Sequence, residues 1–499
     1  MESKDLEALA SSAEEKEPEL DHLTASVSVS EPHTIFTFGQ RCFICGMVCV
    51  AATFSSFAGN VYYPAIPSIA KDLSVTSELV NLTVTAYMIF QGMSPTFWGA
   101  LSDTMGRRVT YISTFVVFIC ACIGLAETKH YYQLVILRCL QSTGSASTIA
   151  IGAGVIGDLT VRENRGGWMG VYQGFFLMPN AIGPVVGGLF SATLGWRWIF
   201  WFLTIFSGAF LALLILFLPE TLRNLVGNGS LRARGPARSI LGDWRRRQYL
   251  KQHPMPHLER TKSPMFVKRK IDFMAPLRIV FGGEVTCAIL FLSCAYTLWQ
   301  MVMAAMSTLI QRQYGLNDID TGLTFLCNGF GCMIGTIITG KLLDIDYRKT
   351  KARYTGPPED FPIEQTRLRT VWFYTGMQAA SAVVFGWTLD KKVHLSVPLI
   401  AGFFLGWAAT AIQSVVTTLL VDIFNKQSAS ATAALNLARC LVGAGGTAAI
   451  LPIVNAIGAG WAFTLFAMVL VLALGLLVVQ LRYGPKWRKR RQAKQTLKE

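Results

Sequence analysis

The sequence predicts an all-α membrane protein with twelve transmembrane helices in two pseudo-symmetric six-helix bundles. Hydrophobic residues make up 52% of the 499 residues and charged residues only 15%, whereas soluble domains are about 25% charged. Twelve spans of about 20 residues would use about 240 residues, which this length accommodates. A polar motif at the end of the second span also recurs in the second half. The composition excludes a soluble enzyme, a secreted disulfide scaffold and a disordered regulator.

Apolar runs separated by polar segments predict the individual spans. The predicted spans are residues 42–66, 78–101, 109–126, 131–157, 167–190, 194–218, 284–310, 318–343, 370–390, 396–421, 428–457 and 461–481. The predicted organisation is a disordered acidic tail (1–41), a first bundle (42–218), a basic linker (219–283), a second bundle (284–482) and a basic tail (483–499).

Lysine and arginine placement predicts that both termini face the cytoplasm. Six of the 45 lysines and arginines fall in the predicted outer loops: Lys71, Lys129, Arg197, Arg312, Lys391 and Lys392. Arg138 and Arg439 lie within spans, and the rest lie on the inner side. The linker and the basic run from Lys486 to Arg491 are predicted to be solvated and to contact anionic lipid rather than nucleic acid.

The most specific feature is a motif that occurs twice. The segments Gly99–Arg108 and Gly340–Lys349 both read G-x-L-x-D-x-x-x-R-[R/K]. The glycine allows two helices to approach, the aspartate faces a helix N-terminus, and the arginine pairs with another carboxylate. Repeats of this kind are typical of secondary transporters built from two similar halves. The motif predicts a cytoplasmic latch formed by Gly99, Asp103, Arg107, Arg108, Asp344 and Arg348; the alternative is a turn whose charges only set the topology.

Several segments resemble one family of transporters. Gly99–Arg108 resembles the signature loop of the major facilitator superfamily. Two further segments resemble signatures of its drug:proton antiporters. In the fourth span these residues are Arg138, Gln141, Gly144 and Ala146, with Ser142 in place of a glycine. In the fifth span they are Gly183, Pro184, Gly187 and Gly188. Asn60 and Tyr63 resemble the fungal twelve-span group, and the runs around Asn328 and Arg439 resemble its citrate-exporter branch. The resemblance covers about residues 42–481.

The resemblance implies export of a small organic molecule by proton antiport and alternating access, in a monomeric protein of a fungal plasma membrane. It also implies the partners of the latch. Arg107 is expected to pair with Asp158, and Arg348 with Asp422. Asp103 is expected to face the helix start at Ser428–Ser430, and Asp344 the helix start near Asn164.

Two arginines within spans are functional candidates, because burying a charge in a membrane costs at least about 2.5–3.5 kcal/mol on insertion scales. Arg138 either contacts substrate, tunes a proton site or holds helices together, and Arg439 is either functional or structural. No carboxylate or histidine lies in the middle of a predicted span, which favours an anionic or neutral polar substrate over a cation. The nearest candidates for a proton carrier are Asp103, Asp158 and Glu284.

Other polar residues within spans either line a central cavity or bond a neighbouring helix. These candidates are Tyr87, Gln91, Gln173, Asn180, Trp299, Gln300, Asn328, Gln413 and Asn436. Asn436 and Arg439 are three residues apart and are expected to share a helix face.

The sequence shows no metal-ligand cluster, no Walker-type phosphate loop and no catalytic triad. It therefore predicts no cofactor and no enzyme activity, and it favours an ion gradient over ATP as the energy source. The substrate stays open between an organic acid, a secondary metabolite and a drug. The alternatives to an exporter are a proton-symport importer and a membrane sensor that moves no substrate.

Overall fold

The computed structural model describes residues 34–160, 165–233, 235–252, 274–283, 285–356, 361–424 and 428–496. Within these ranges the chain is helical and contains no strand. The first half consists of α1 (Phe38–Asp72), α2 (Ser77–Met105), α3 (Arg107–Ala126), α4 (Tyr131–Leu159), α5 (Arg165–Leu177 and Pro179–Thr193) and α6 (Arg197–Phe217). The second half consists of α7 (Thr286–Tyr314), α8 (Asp318–Arg353), α9 (Val371–Asp390), α10 (Ser396–Ile423), α11 (Ser428–Ile457) and α12 (Ala459–Thr496).

Ten helices of the described residues are long and apolar enough to cross a membrane. The two long helices outside this set are α2 and α9, which complete the six helices of each half. The core of each half is built from side chains that pack between the helices of that half. In the first half, for example, the Phe54 ring of α1 lies 5.2 Å from Phe115 of α3 and 5.5 Å from Phe210 of α6.

Several helix ends differ from the sequence prediction. α1 begins at Phe38, where the Thr37 hydroxyl and the Gln40 side chain form a capping box, so the predicted tail ends earlier than residue 41. α8 continues ten residues past the predicted end, and α12 continues through most of the predicted tail. Hydrophobicity locates the membrane-crossing part of a helix, but a charged, hydrogen-bonded extension can continue into water.

The predicted linker (219–283) is partly folded rather than simply solvated. It contains helices at Arg223–Val226, Ile240–Gln252 and Ala275–Phe281. The Arg245 Nε donates to the Ile35 carbonyl at 2.7 Å, which ties the linker to the segment before α1. Residues 1–33 and 253–273 lie outside the described residues, and disorder of the acidic tail stays a prediction.

The two halves contact each other along two antiparallel helix pairs. α2 packs against α11, where the Cβ position of Gly92 lies near Cys440. α5 packs against α8, where Gly329 lies against Ala181. We call the end that holds residues 73–76 and 315–317 the outer end, and the end that holds Gly106 the inner end. The contacts between α5 and α8 run from the outer end towards the middle of the helices.

We predict that Gly329→Ala lowers the melting temperature of the purified protein, because its new methyl group would overlap the Ala181 backbone. Overpacking of this kind costs about 1–3 kcal/mol. Gly340→Ala on the same helix is the control, since no described atom lies within 4 Å of its Cβ position. Equal melting temperatures for the two variants would contradict the close contact between α5 and α8.

Candidate functional site

A central cavity lies between the two halves and contains about 610 Å³ of space not filled by protein atoms, part of it open to solvent. Residues predicted from the sequence that line it are Asn60, Tyr63, Tyr87, Gln91, Arg138, Asn180, Trp299, Gln300, Gln413 and Arg439. Lining residues that the sequence analysis missed are Ser55, Ser56, Gly59, Val84, Met88, Phe176, Leu177 and Tyr296.

Arg138 of α4 is fully buried and contacts no carboxylate of the described residues. Its guanidinium lies between the rings of Tyr62 and Tyr87, 4.2 and 4.3 Å from their centroids. One nitrogen, Nη1, donates to the Ala58 carbonyl at 3.1 Å and to the Gln141 amide oxygen at 2.7 Å. Nε and Nη2 have no hydrogen-bond partner among the described residues. A buried guanidinium with free N–H groups is suited to bind an anion.

Arg439 of α11 reaches the same cavity from the second half and is held by neutral groups. Its Nη1 donates to the Gln413 amide oxygen at 3.1 Å, and its Nη2 donates to the Asn436 amide oxygen at 2.8 Å. The Tyr296 ring centroid lies 4.8 Å from the guanidinium carbon. The described lining residues thus include two arginines and no acid, so the cavity attracts negative charge.

The glycines of the predicted antiporter helix allow α5 to pack closely against both halves. Gly183 and Gly187 lie against the end of the first part of α1, where a Cβ on Gly187 would overlap the Val61 backbone. A Cβ on Gly188 would overlap the Asp318 backbone of α8, and Pro184 lies against Gly322. The motif is therefore located where α5 joins the first half to the second.

A polar cluster next to these glycines links α1 to α5. The Asn60 Nδ2 donates to the Asn180 amide oxygen at 2.9 Å, and the Ser56 hydroxyl donates to the same oxygen at 2.8 Å. Both asparagines line the cavity. They present a polar surface beside the two arginines.

Four predicted cavity residues do not line it. Gln141 is buried and positions Arg138, while Asn436 positions Arg439. Asn328 is buried and bonds the Trp299 indole and the Gly402 carbonyl. Gln173 is exposed on α5. Sequence spacing identifies polar residues within spans, but it does not distinguish a lining residue from one that bonds a neighbouring helix.

The inner end of the first half contains the predicted Arg107–Asp158 pair, with 3.1 Å between Nε and Oδ2. Arg107 also pairs with Asp103 at 2.6 Å and donates to the Ser102 hydroxyl at 2.8 Å. The Asp103 side chain is 62% exposed. The side chains of Ser428–Ser430, its predicted partners, lie outside the described residues.

The expected role of Gly99 in close helix approach is not seen in this structure. No described atom lies within 4 Å of the Cβ position of Gly99 or of Gly340. The close contacts between α5 and α8 lie towards the outer end and the middle instead.

Glu220 is a buried acid at the inner end that the sequence analysis missed. Its carboxylate accepts the backbone N–H groups of Arg107 at 2.9 Å and Arg108 at 3.2 Å, at the N-terminus of α3. Burial raises the pKa of the Glu220 carboxyl, and these backbone hydrogen bonds oppose the rise. The Arg108 guanidinium donates to backbone carbonyls at the end of α6, including Leu214 at 3.1 Å. Arg108 therefore caps α6, and its predicted place in the latch is corrected.

The predicted Arg348–Asp422 pair is wrong. Asp422 pairs with Arg367, with 2.8 Å between Oδ2 and Nε, while Arg348 is exposed on α8. In the first copy of the motif, the chain turns after Met105 and Arg107 begins the next helix. In the second copy the helix continues to Arg353, so Arg348 lies on α8 and not at the start of the next span. Arg367 lies just before α9, and Arg107 lies at the start of α3. This similar position in the two halves was the sequence feature that could have identified Arg367 as the partner of Asp422.

Asp344 is exposed on α8. Its predicted neighbour Asn164, and the proton-carrier candidate Glu284, lie outside the described residues. Among the residues that the structure describes, no group of three or more His, Cys, Asp and Glu side chains is placed to hold a metal ion.

The C-terminal extension of α12 packs next to the Arg367–Asp422 pair at the inner end of the second half. Arg488, predicted to be solvated, is only 6% exposed. Its Nη1 lies 3.6 Å from the buried Glu364 carboxylate, and its Nη2 donates to the Phe361 carbonyl at 3.0 Å. Arg491 donates to the Ile423 carbonyl at 2.6 Å, next to Asp422. The basic tail thus packs onto the inner end of the second half.

A sequence model of the Major Facilitator Superfamily matches residues 48–447. The chain belongs to this superfamily. Citrate exporter 1 of Aspergillus niger is 39% identical over 488 residues, which cover 95% of this chain and 92% of the exporter. The MFS antiporter QDR2 of Candida albicans is 32% identical, with 87% of each chain covered. These superfamily relatives are transporters and not enzymes, and they match the predicted citrate-exporter-like branch.

Solved structures of superfamily transporters share the fold. The xylose transporter XylE of Escherichia coli, in a partially occluded inward-open conformation, has a TM-score of 0.62 at 15% identity, covering 87% of this chain and 96% of XylE. The human organic anion transporter MFSD10 has a TM-score of 0.58 at 15% identity, covering 88% and 99%. The predicted twelve-helix fold is confirmed, and this superfamily member is a multi-pass membrane transporter.

We predict that Arg367→Gln slows transport at least several-fold, because Asp422 loses its only close cationic partner among the described residues. Arg348→Gln is the matched control and keeps transport within about twofold of the unchanged protein, as expected for an exposed charge. Initial flux in proteoliposomes, normalised to the amount of inserted protein, checks both. Equal effects of the two substitutions would contradict the corrected pairing.

Proposed function

We propose that this transporter exports a small organic acid from the cytoplasm by proton antiport and alternating access. The observation that carries the proposal is the pair of arginines, Arg138 and Arg439, at a cavity whose described lining holds no acid. Because the two arginines come from opposite halves, one anion with two or more carboxylates is suited to contact both. Binding of the anion would then be sensitive to movement of one half against the other.

The similarity to the citrate exporter of Aspergillus niger supports a carboxylic acid over a lipophilic cation. Citrate carries up to three carboxylates, and guanidinium groups bind carboxylates with charge-assisted hydrogen bonds. A drug or a neutral metabolite remains the second candidate, favoured by the relatives named for drug transport and by aromatic lining residues such as Tyr63, Tyr296 and Trp299.

Proton antiport is proposed from the name of the antiporter relative and from the glycine motif of α5. The described cavity lining contributes no acid that would carry the proton. Asp158, which pairs with Arg107 at the inner end and is 15% exposed, is the proposed proton carrier. A proton on Asp158 would weaken that pair, which would link protonation to movement of the inner end.

The orientation and the membrane are also proposals. The end with the basic linker and the basic extension of α12 faces the cytoplasm, because positively charged segments stay on that side. Both termini are then cytoplasmic, and the contacts between the halves at the outer end face the outside. The plasma membrane is the location that suits an exporter.

We expect purified protein in proteoliposomes to move citrate in the direction opposite to the flow of protons down an imposed pH gradient. Radiolabelled citrate and a pH difference across the vesicle wall check this, with a zero-gradient sample as the control. Citrate that moves in the same direction as the protons would instead support the symport importer. No flux of citrate or of other organic acids by folded protein would exclude the organic-acid exporter and leave the drug exporter or the sensor.

We predict that Arg439→Gln reduces citrate transport at least about tenfold, because a lost charge-assisted hydrogen bond costs about 1.5–3 kcal/mol. Arg138→Gln is expected to act in the same direction. Lys391→Gln, which removes an exposed charge in an outer loop, is the control for net charge. Full citrate transport by both arginine variants would exclude the anion site.

A further inference from the structure

A partly buried carboxylate at the outer end joins the two halves. Asp318 is the first residue of α8, and its side chain is partly buried. Its Oδ2 accepts the hydroxyls of Ser68 at 2.6 Å and Ser191 at 2.5 Å, both from the first half. Its Oδ1 accepts the Gln311 amide at 2.8 Å, from α7 of its own half. The carboxylate thus connects α1 and α5 to α7 and α8.

The backbone around Asp318 also packs closely against α5. The Asp318 carbonyl lies against the Cβ position of Gly188, and Gly322, one turn further along α8, lies against Pro184. Ser191 follows Gly188 by three residues on the same face of α5. The backbone contact and the Ser191 hydrogen bond therefore form and break together.

We propose that ionised Asp318 is the residue that holds the outer end closed, and that transport requires its release from Ser68 and Ser191. The inference rests on the proposed alternating access. An ionised carboxylate accepts hydrogen bonds and donates none, and all three neighbours donate to it. Charge-assisted bonds of this type are about twice as strong as neutral ones.

The other contacts between the halves at the outer end are weaker candidates for this role. The Asn455 amide donates to the Glu78 carboxylate at 2.5 Å and accepts from Arg312 at 3.1 Å, but this chain of contacts is exposed. Exposed contacts of charged side chains contribute little, because water competes for both partners. Asn81 donates to the Thr447 carbonyl, which is a neutral pair. Asp318 is distinguished by its charge, its partial burial and its links to two helices of the opposite half.

The test is hydrogen–deuterium exchange on the full chain in lipid nanodiscs, comparing Asp318→Asn with the unchanged protein. We expect peptides over residues 66–72 and 186–193 at the outer end to exchange faster, and peptides over 101–108 at the inner end to exchange more slowly. These opposite changes correspond to an approximately tenfold shift towards outward-open molecules, the effect of losing about half the strength of two charge-assisted bonds. Unchanged exchange, or faster exchange at the outer end alone, would overturn the proposal, since local loosening does not protect the inner end.

The matched control is Asp320→Asn, which removes an exposed carboxylate from the same turn of α8. It is expected to leave exchange at both ends unchanged. Ser191→Ala provides a second variant if Asp318→Asn does not fold, and it is expected to give a smaller shift in the same direction. Asp318→Glu keeps the charge and is expected to restore part of the original pattern. The exchange experiment uses no substrate, so it can succeed even if citrate transport is not found.

Discussion

A buried positive charge with no acidic partner in the described part of the chain is the constraint on which the centre of this transporter depends. Removing a guanidinium from water costs several kcal/mol even after the protein relaxes. Around Arg138 this cost is offset by the Tyr62 and Tyr87 rings, one backbone carbonyl and Gln141, none of which neutralises the charge. Arg439 is held in the same way by neutral amides. No described acid neutralises the positive charge at the cavity.

Charged side chains join helices within one half at both ends, as Arg197 and Asp72 do at the outer end, but a partly buried carboxylate also joins the two halves there. At the inner end, Arg107 with Asp158 and Arg367 with Asp422 each join helices of the same half. At the outer end, Asp318 joins one half to the other through hydroxyls of α1 and α5. Contacts within a half allow it to move as a unit, whereas a contact between halves must break when they separate. This difference provides a physical basis for movement about the central cavity.

The sequence predicted the residues of the site better than their partners. The Arg107–Asp158 pair was expected from the resemblance to the superfamily, and the structure places Nε and Oδ2 3.1 Å apart. The same motif failed in the second half, where α8 continues past Arg348 and Asp422 pairs with Arg367 instead. Glu220 was missed because it lies outside the spans and caps a helix more than 100 residues earlier in the chain.

The sequence by itself determined that the chain lies in lipid, how many spans it has, and that no acid lies in the middle of a predicted span. These properties follow from the order of apolar and charged residues along the chain. Only the tertiary structure decided that Gln141 supports Arg138 rather than lining the cavity, that Arg108 caps α6, and that Asp318 joins the halves. Each of these outcomes depends on which helices become neighbours. That choice is made by close packing at glycines and by pairing of buried polar groups over long sequence separations, which no local pattern encodes.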